Sequence, residues 1–228
     1  MTGLKQLLGS TATYTLANVI NSSIPFLLLP VLTRVLTPSE YGLVTMFATV
    51  MSVFSAFTGL SVHGAVGVRY FDKEIDHPRF VGVCLAILAG STMLALCWVW
   101  LFSMSLSNWT QVPRAWLLIA VFASAAQFII YIRLTMWQVK HEAVRYGAFQ
   151  VAQTILNLAL SLLLILVIGM GWEGRALGVA TAITVFGILS LYSLQRASLV
   201  NWQWDAGYAR TILRFGVPLI PHTVGGMM

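Results

Sequence analysis

Pro30-Val31-Leu32-Thr33-Arg34-Val35-Leu36-Thr37-Pro38-Ser39-Glu40-Tyr41-Gly42 separates two long apolar runs, and its reading decides the fold. Arg34 and Glu40 are the only Lys, Arg, Asp or Glu residues between Lys5 and Arg69. Thr37 suits a helix N-cap, Pro38 the first helical position and Glu40 the third, from which its carboxylate reaches back to complete a capping box. Leu36 and Tyr41 then occupy the two positions of a hydrophobic staple. One apolar helix therefore ends near Arg34 and a second begins at Pro38. So short a connection makes the two antiparallel.

The same pattern continues outward along the 228 residues, of which 58% are hydrophobic and 9% charged. Soluble domains carry roughly 25% charged residues. Runs without Lys, Arg, Asp or Glu cover 6–33, 41–68, 80–113, 115–132, 146–172 and 176–195. Each is of the length that crosses a bilayer, about 20 residues. The run 215–228 is too short to cross. The expected fold is an all-α polytopic membrane protein with spans near 11–33, 38–67, within 80–105, 115–134, 147–169 and 176–195. Its parts are a six-helix transmembrane lobe over 1–195, a cytoplasmic or interfacial linker over 196–214, and the truncated start of a seventh helix over 215–228. A helix ending at Met228 inside lipid would leave carbonyls unsatisfied, so a fragment is expected.

Cations set the orientation. Lys5 precedes the first span, and Arg69, Lys73, Arg79, Arg133, Lys140, Arg145, Arg196, Arg210 and Arg214 follow the second, fourth and sixth. Only Arg34, Arg114 and Arg175 follow the first, third and fifth, a division of ten against three. The positive-inside rule then makes the N-terminus cytoplasmic. The net charge of +6 is thus a topology signal. No single face gathers it, which argues against a nucleic-acid partner. The first span is too long for a signal peptide and lacks an Ala-x-Ala site, so a bacterial inner-membrane protein is expected. In the linker, Trp202, Trp204, Tyr208 and Ile212 beside Arg210 and Arg214 suit a short helix lying in the interface.

Polar residues inside the spans are the candidates for function. Tyr14, Asn18, Asn21 and Pro25 share one face of the first span. Asn is costly in hydrocarbon unless it meets protein or a wet cavity, so Asn18 and Asn21 either join helices or line a hydrated path. Gln150, Gln153 and Asn157 form a second stripe, and Gln127 and Arg133 lie in the fourth span, where Arg133 can snorkel to the interface. Thr45, Thr49, Ser52, Ala56, Gly59 and His63 make a small-residue face suited to close packing. Gly174 and Gly178 have the same kind of spacing.

Enzyme chemistry finds no support. Glu40, Asp72, Glu74, Asp76, Glu142, Glu173 and Asp205 all fall in loops or at helix ends. His63, His77, His141 and His222 have no carboxylate or cysteine at ligand spacing, Cys84 and Cys97 are too far apart on one helix to bridge, and no phosphate-binding loop is present. No metal or cofactor is expected. Bent helices with polar inward stripes and basic ends suit a passage for something polar.

Tyr14-Thr15-Leu16-Ala17-Asn18, then Arg34 followed by Thr37-Pro38-x-x-Tyr41-Gly42, resembles the N-terminus of the Wzx-type polysaccharide flippases of the multidrug/oligosaccharidyl-lipid/polysaccharide (MOP) exporter superfamily. Arg214-Phe215-Gly216-Val217-Pro218-Leu219-Ile220-Pro221 resembles the start of that family's seventh helix. The resemblance implies half of a two-lobe fold around a central cavity. It implies a carrier that moves undecaprenyl-pyrophosphate-linked oligosaccharide between leaflets by alternating access, with membrane lipid and polysaccharide polymerase machinery as further partners. Arg34, Arg69 and Arg133 would attract the pyrophosphate. Asn18, Asn21, Gln127, Gln150, Gln153 and Asn157 would line the substrate path. A drug/cation antiporter of the same superfamily would call for an acidic residue in the lobe interior. A membrane enzyme of envelope synthesis would call for large outer loops or a buried His.

Overall fold

The structure is a computed structural model that describes residues 2–220 apart from 61 and 73. Among the described residues there are helices and turns and no strand. The order is α1 (Thr2–Val35), α2 (Pro38–Gly59), α3 (Val62–Arg69), α4 (His77–Thr110), α5 (Arg114–Val139), α6 (Ala143–Leu162) continuing as a π-helical turn (Leu163–Val167), α7 (Gly171–Arg196), and α8 (Ala206–Gly216) ending in a 3-10 turn (Val217–Leu219). Six helices are long and apolar enough to cross a membrane. The chain divides into two compact units, one of residues 1–45 and 136–183, the other of 46–135 and 184–228.

The capping box forms as read. The Thr37 N–H and hydroxyl donate to Glu40 Oε2 at 2.9 and 2.8 Å, and the Glu40 N–H donates to Thr37 Oγ1 at 3.3 Å. Only Leu36 and Thr37 separate α1 from α2. Leu36 is buried with Leu28, Leu32 and Ile165, and Tyr41 packs on that cluster. Helix α1 runs unbroken past both prolines.

The second span departs from the expected 38–67. It stops at Gly59, and Leu60 takes a left-handed conformation (φ 44°) before the short α3. Two close approaches account for the break. Phe128 of α5 lies on Gly59, and Gly216 at the end of α8 packs on the Leu60 carbonyl, leaving no room for a Cβ at either glycine. Part of the small-residue face of α2 packs as expected: Ala56 and Gly59 are buried, whereas Thr45 and Thr49 are exposed. The Ser91 hydroxyl of α4 donates to the Thr58 carbonyl, and Ser124 of α5 donates to the Met51 carbonyl at 2.9 Å. The His63 side chain lies outside the described residues.

The segment after α7 is a docked element. The Asn201 N–H donates to the Pro78 carbonyl at 2.8 Å, and the Asp76 N–H donates to the Tyr208 hydroxyl at 3.1 Å. Arg79 pairs with Asp205 at 3.2 Å and also donates to the Trp204 carbonyl at 3.1 Å. Asp205 in turn caps α8 by accepting from the Gly207 and Tyr208 N–H groups. On α8 Ala209 and Ile212 are buried while Arg210 and Arg214 are exposed, an amphipathic arrangement, whereas Trp202 and Trp204, expected in that helix, precede it and are exposed. Helix α8 continues through Gly216 into the 3-10 turn, and residues 221–228, most of the segment expected to open a seventh helix, lie outside the described residues.

Gly82 is the tightest contact of this dock, since a Cβ there would lie 1.8 Å from the Asn201 carbonyl oxygen. Backbone cannot yield as a flexible side chain does. We expect Gly82→Ala to destabilise by about 1–3 kcal/mol, and Asp205→Asn, which loosens a partly exposed ion pair, by no more than about 1 kcal/mol. Thermal denaturation of the purified protein in detergent, followed by light scattering, gives this order of melting points.

Candidate functional site

The polar residues of the first unit lie along the contact of α1 with α6. The Tyr14 and Tyr146 rings meet edge-on with centroids 5.0 Å apart. Two turns further along each helix, the Thr154 hydroxyl donates to Asn21 Oδ1. Further still, Leu28, Leu32 and Leu36 pack with Ile165, and Leu158 and Leu162 pack against them. Contacts that advance together on both helices mean that α1 and α6 run parallel. On α6 the polar positions Tyr146, Gln150, Thr154, Asn157 and Ser161 follow spacings of three or four residues and form one ladder. It extends about 22 Å at 1.5 Å per residue, most of the roughly 30 Å hydrocarbon thickness.

Hydrocarbon forces these groups onto one another, and the pairing is incomplete. Thr154 also donates to the Gln150 carbonyl at 2.8 Å. The Tyr14 hydroxyl and Gln150 Oε1 are buried without a hydrogen-bond partner among the described residues. Each such group costs about 1–3 kcal/mol. The two lie close together on the ladder, because Tyr14 packs on Tyr146, one turn before Gln150.

The other end of the ladder holds a cation. Arg175 Nη1 donates to Asn157 Oδ1 at 2.6 Å and to Ser161 Oγ at 2.7 Å. Two glycines make this reach possible. A Cβ on Gly178 would lie 2.5 Å from Ser161 Oγ, and one on Gly174 would lie 3.0 Å from the Leu164 carbonyl carbon, so α7 lies directly on α6 and its π-helical turn. The π turn is closed by the Ile168 N–H donating to the Leu163 carbonyl at 3.2 Å. Such bulges recur at functional sites.

Glu40 closes the same end. Its Oε1 sits where a Cβ of Gly171 would go, 2.3 Å away, and its carboxylate also meets the Trp172 backbone N–H. Gly171 has φ 59°, so its left-handed conformation and the nearby carboxylate both favour glycine there. Glu40 thus caps α2 and meets the positive start of α7 at once.

Of the residues singled out from sequence, Asn21, Gln150 and Asn157 come together, with Gln153 half-buried on the same helix. Asn21 joins helices through Thr154, while Asn18 on the preceding turn is exposed. Arg34 is exposed at the end of α1. Arg69, Gln127 and Arg133 belong to the second unit. Arg69 pairs with Asp72 at 3.1 Å, and Gln127 is half-buried. Arg133, expected to snorkel, is 7% exposed.

Sequence reading missed Tyr146, Thr154, Ser161 and Arg175 as members of the ladder. Arg175 was assigned to a loop because the sixth span was placed at 176, whereas Gly169 (φ 76°) and Gly171 make the turn and α7 starts at Gly171. Its place between Gly174 and Gly178 was the available signal of close helix contact.

Residues 7–227 match the family model described as polysaccharide biosynthesis protein. Among curated relatives, the Lsg locus putative protein 1 of Haemophilus influenzae is 26% identical over 223 residues, covering 92% of this chain and 51% of its own length. A membrane protein of the same organism is 28% identical over 163 residues, covering 70% of this chain and 37% of its own. The chain therefore spans about half the length, or less, of these relatives. Among solved structures, the MATE transporter VcmN of Vibrio cholerae in its bent form superposes with a TM-score of 0.73 at 14% identity, covering 97% of this chain and 54% of that one. A MOP superfamily transporter of Pyrococcus furiosus gives 0.63 at 20% identity, covering 94% and 52%. The fold is that of a six-helix half of these transporters.

Asn21 and Thr154 should be energetically coupled. A double-mutant cycle of Asn21→Leu and Thr154→Val, read by thermal unfolding in detergent, should give a coupling of about 0.6–1.7 kcal/mol, the range of interhelical hydrogen bonds in membranes.

Proposed function

The chain belongs to the polysaccharide biosynthesis protein family, and we propose that it forms the N-terminal lobe of a flippase for undecaprenyl-pyrophosphate-linked oligosaccharide units. In this reading the membrane is the bacterial inner membrane, the N-terminus is cytoplasmic, and transport serves surface polysaccharide assembly alongside a polymerase.

The observation that carries the reading is the ladder from Tyr14 and Tyr146 to Arg175. It offers neutral hydrogen-bonding groups along most of the membrane depth and a cation at one end, with no carboxylate among its members. Sugar hydroxyls and a pyrophosphate are the complementary chemistry. A cation carrier of the same fold is the second reading, favoured by the likeness to MATE transporters. It would require an interior acid, whereas Glu40 at one end of the ladder is engaged by Thr37 and Trp172, and Glu142, one turn before Tyr146 at the other end, pairs with Arg145 at 2.6 Å.

The test is complementation of a flippase-deficient strain with the intact gene. Asn21→Leu combined with Gln150→Leu should lower surface polysaccharide by about tenfold or more at unchanged protein level, equivalent to at least about 1.4 kcal/mol. Normal polysaccharide from the double variant removes the ladder from the path. Failure of the unaltered gene removes the substrate assignment.

A further inference from the structure

The Arg175 guanidinium is held by one edge. Both hydrogen bonds it makes use Nη1, and both acceptors, Asn157 and Ser161, are uncharged. Among the described residues no carboxylate pairs with it. Its Nε and Nη2 make no hydrogen bond there, yet neither is among the buried, unsatisfied atoms, so both reach the surface. The residue sits in the second turn of α7, about 6 Å along the helix from Gly171 at 1.5 Å per residue, within a span that crosses the membrane.

A cation at membrane depth without a counter-ion is costly and marks function by default. Fixing Nη1 also fixes the plane of the group, because guanidinium is rigid. Nε and Nη2 then present two parallel N–H donors in the fork that matches two oxygens of a phosphate. Close glycine packing holds the anchor in place: Gly178 lies against Ser161, so α7 cannot slide on α6 without a clash. Glu40 is turned toward Thr37 and Gly171, and neither it nor Glu173, two residues before Arg175, forms an ion pair with the guanidinium among the described residues.

We propose that the free Nε–Nη2 edge of Arg175, oriented by Asn157 and Ser161, binds a phosphate group of a membrane lipid. Arg175 is the binding residue, and Asn157 and Ser161 are positioning residues. The proposal rests on the flippase reading only for the identity of the lipid. Three sources share this chemistry: a polyprenyl pyrophosphate, a bulk anionic phospholipid and free pyrophosphate.

The experiment places the purified 228-residue chain in phosphatidylcholine nanodiscs and titrates undecaprenyl pyrophosphate, phosphatidylglycerol and inorganic pyrophosphate in separate arms, with bound lipid or anion counted by native mass spectrometry. The expected result is binding of the pyrophosphate lipid, weakened about tenfold or more by Arg175→Gln. Arg175→Lys, which keeps the charge and loses the fork, should recover only part of it. Asn157→Leu, which keeps the arginine and removes one of the two acceptors that hold its Nη1, should weaken binding about threefold to tenfold. Equal affinity for phosphatidylglycerol names bulk lipid as the source, and equal affinity for inorganic pyrophosphate names the anion alone. Both outcomes keep the site. If Arg175→Gln fails to fold by circular dichroism, Asn157→Leu and Arg175→Lys decide. Unchanged affinity in these two, or no binding of any of the three anions to the unaltered chain, overturns the proposal. Binding at Arg175 in a protein whose gene fails to complement would sink the transport reading and leave this site standing.

Discussion

A hydrocarbon interior offers no hydrogen-bond partner, and that single constraint organises this chain. Backbone groups are satisfied inside helices, which is why six of them are long and apolar enough to cross. Side chains that remain polar inside the spans must find one another. Asn21 finds Thr154, and Asn157 and Ser161 find Arg175. Two of the buried groups without a partner, the Tyr14 hydroxyl and Gln150 Oε1, lie on the same ladder, while the Ser190 hydroxyl of α7 lies off it. In the first unit polarity is therefore concentrated on the α1–α6 contact and its junction with α7.

Holding that contact requires precise helix ends. Glu40 serves both the start of α2 and the start of α7, tying the α1–α2 turn to the turn before α7. Gly174 and Gly178 let α7 approach α6 closely enough for a guanidinium to reach Asn157. In the second unit the same economy recurs: Gly59, Gly82 and Gly216 each admit a ring or a carbonyl where a Cβ would clash. Small residues fix the geometry, and the larger polar ones use it.

Spans and caps were legible in the sequence because they depend on local composition. Thr37-Pro38-Ser39-Glu40 signals its helix start within four residues, and the charge-free runs announce the crossings. The ladder was half legible. Gln150 and Asn157 stand out by residue type, while Thr154 and Ser161 are ordinary in a membrane helix until Asn21 and Arg175 are seen beside them. Arg175 was obscured by a boundary error of five residues, since two glycines with positive φ start α7 before the charge. The break at Leu60 was not legible, because its cause lies in Phe128 and Gly216, remote in sequence.

Function then turns on direction. The ladder's cationic end lies where α1 and α6 finish and α2 and α7 begin, and the proposed orientation puts that end at the outer leaflet. Labelling of single cysteines by a membrane-impermeant maleimide, with Cys84 and Cys97 replaced, tests this most directly. A cysteine at Glu74, which is exposed in the α3–α4 turn, should react only after the cells are permeabilised, and one at the exposed Asn108 should react in intact cells. Reaction at position 74 in intact cells would reverse the weave, the leaflet that holds Arg175 and the direction of transport together.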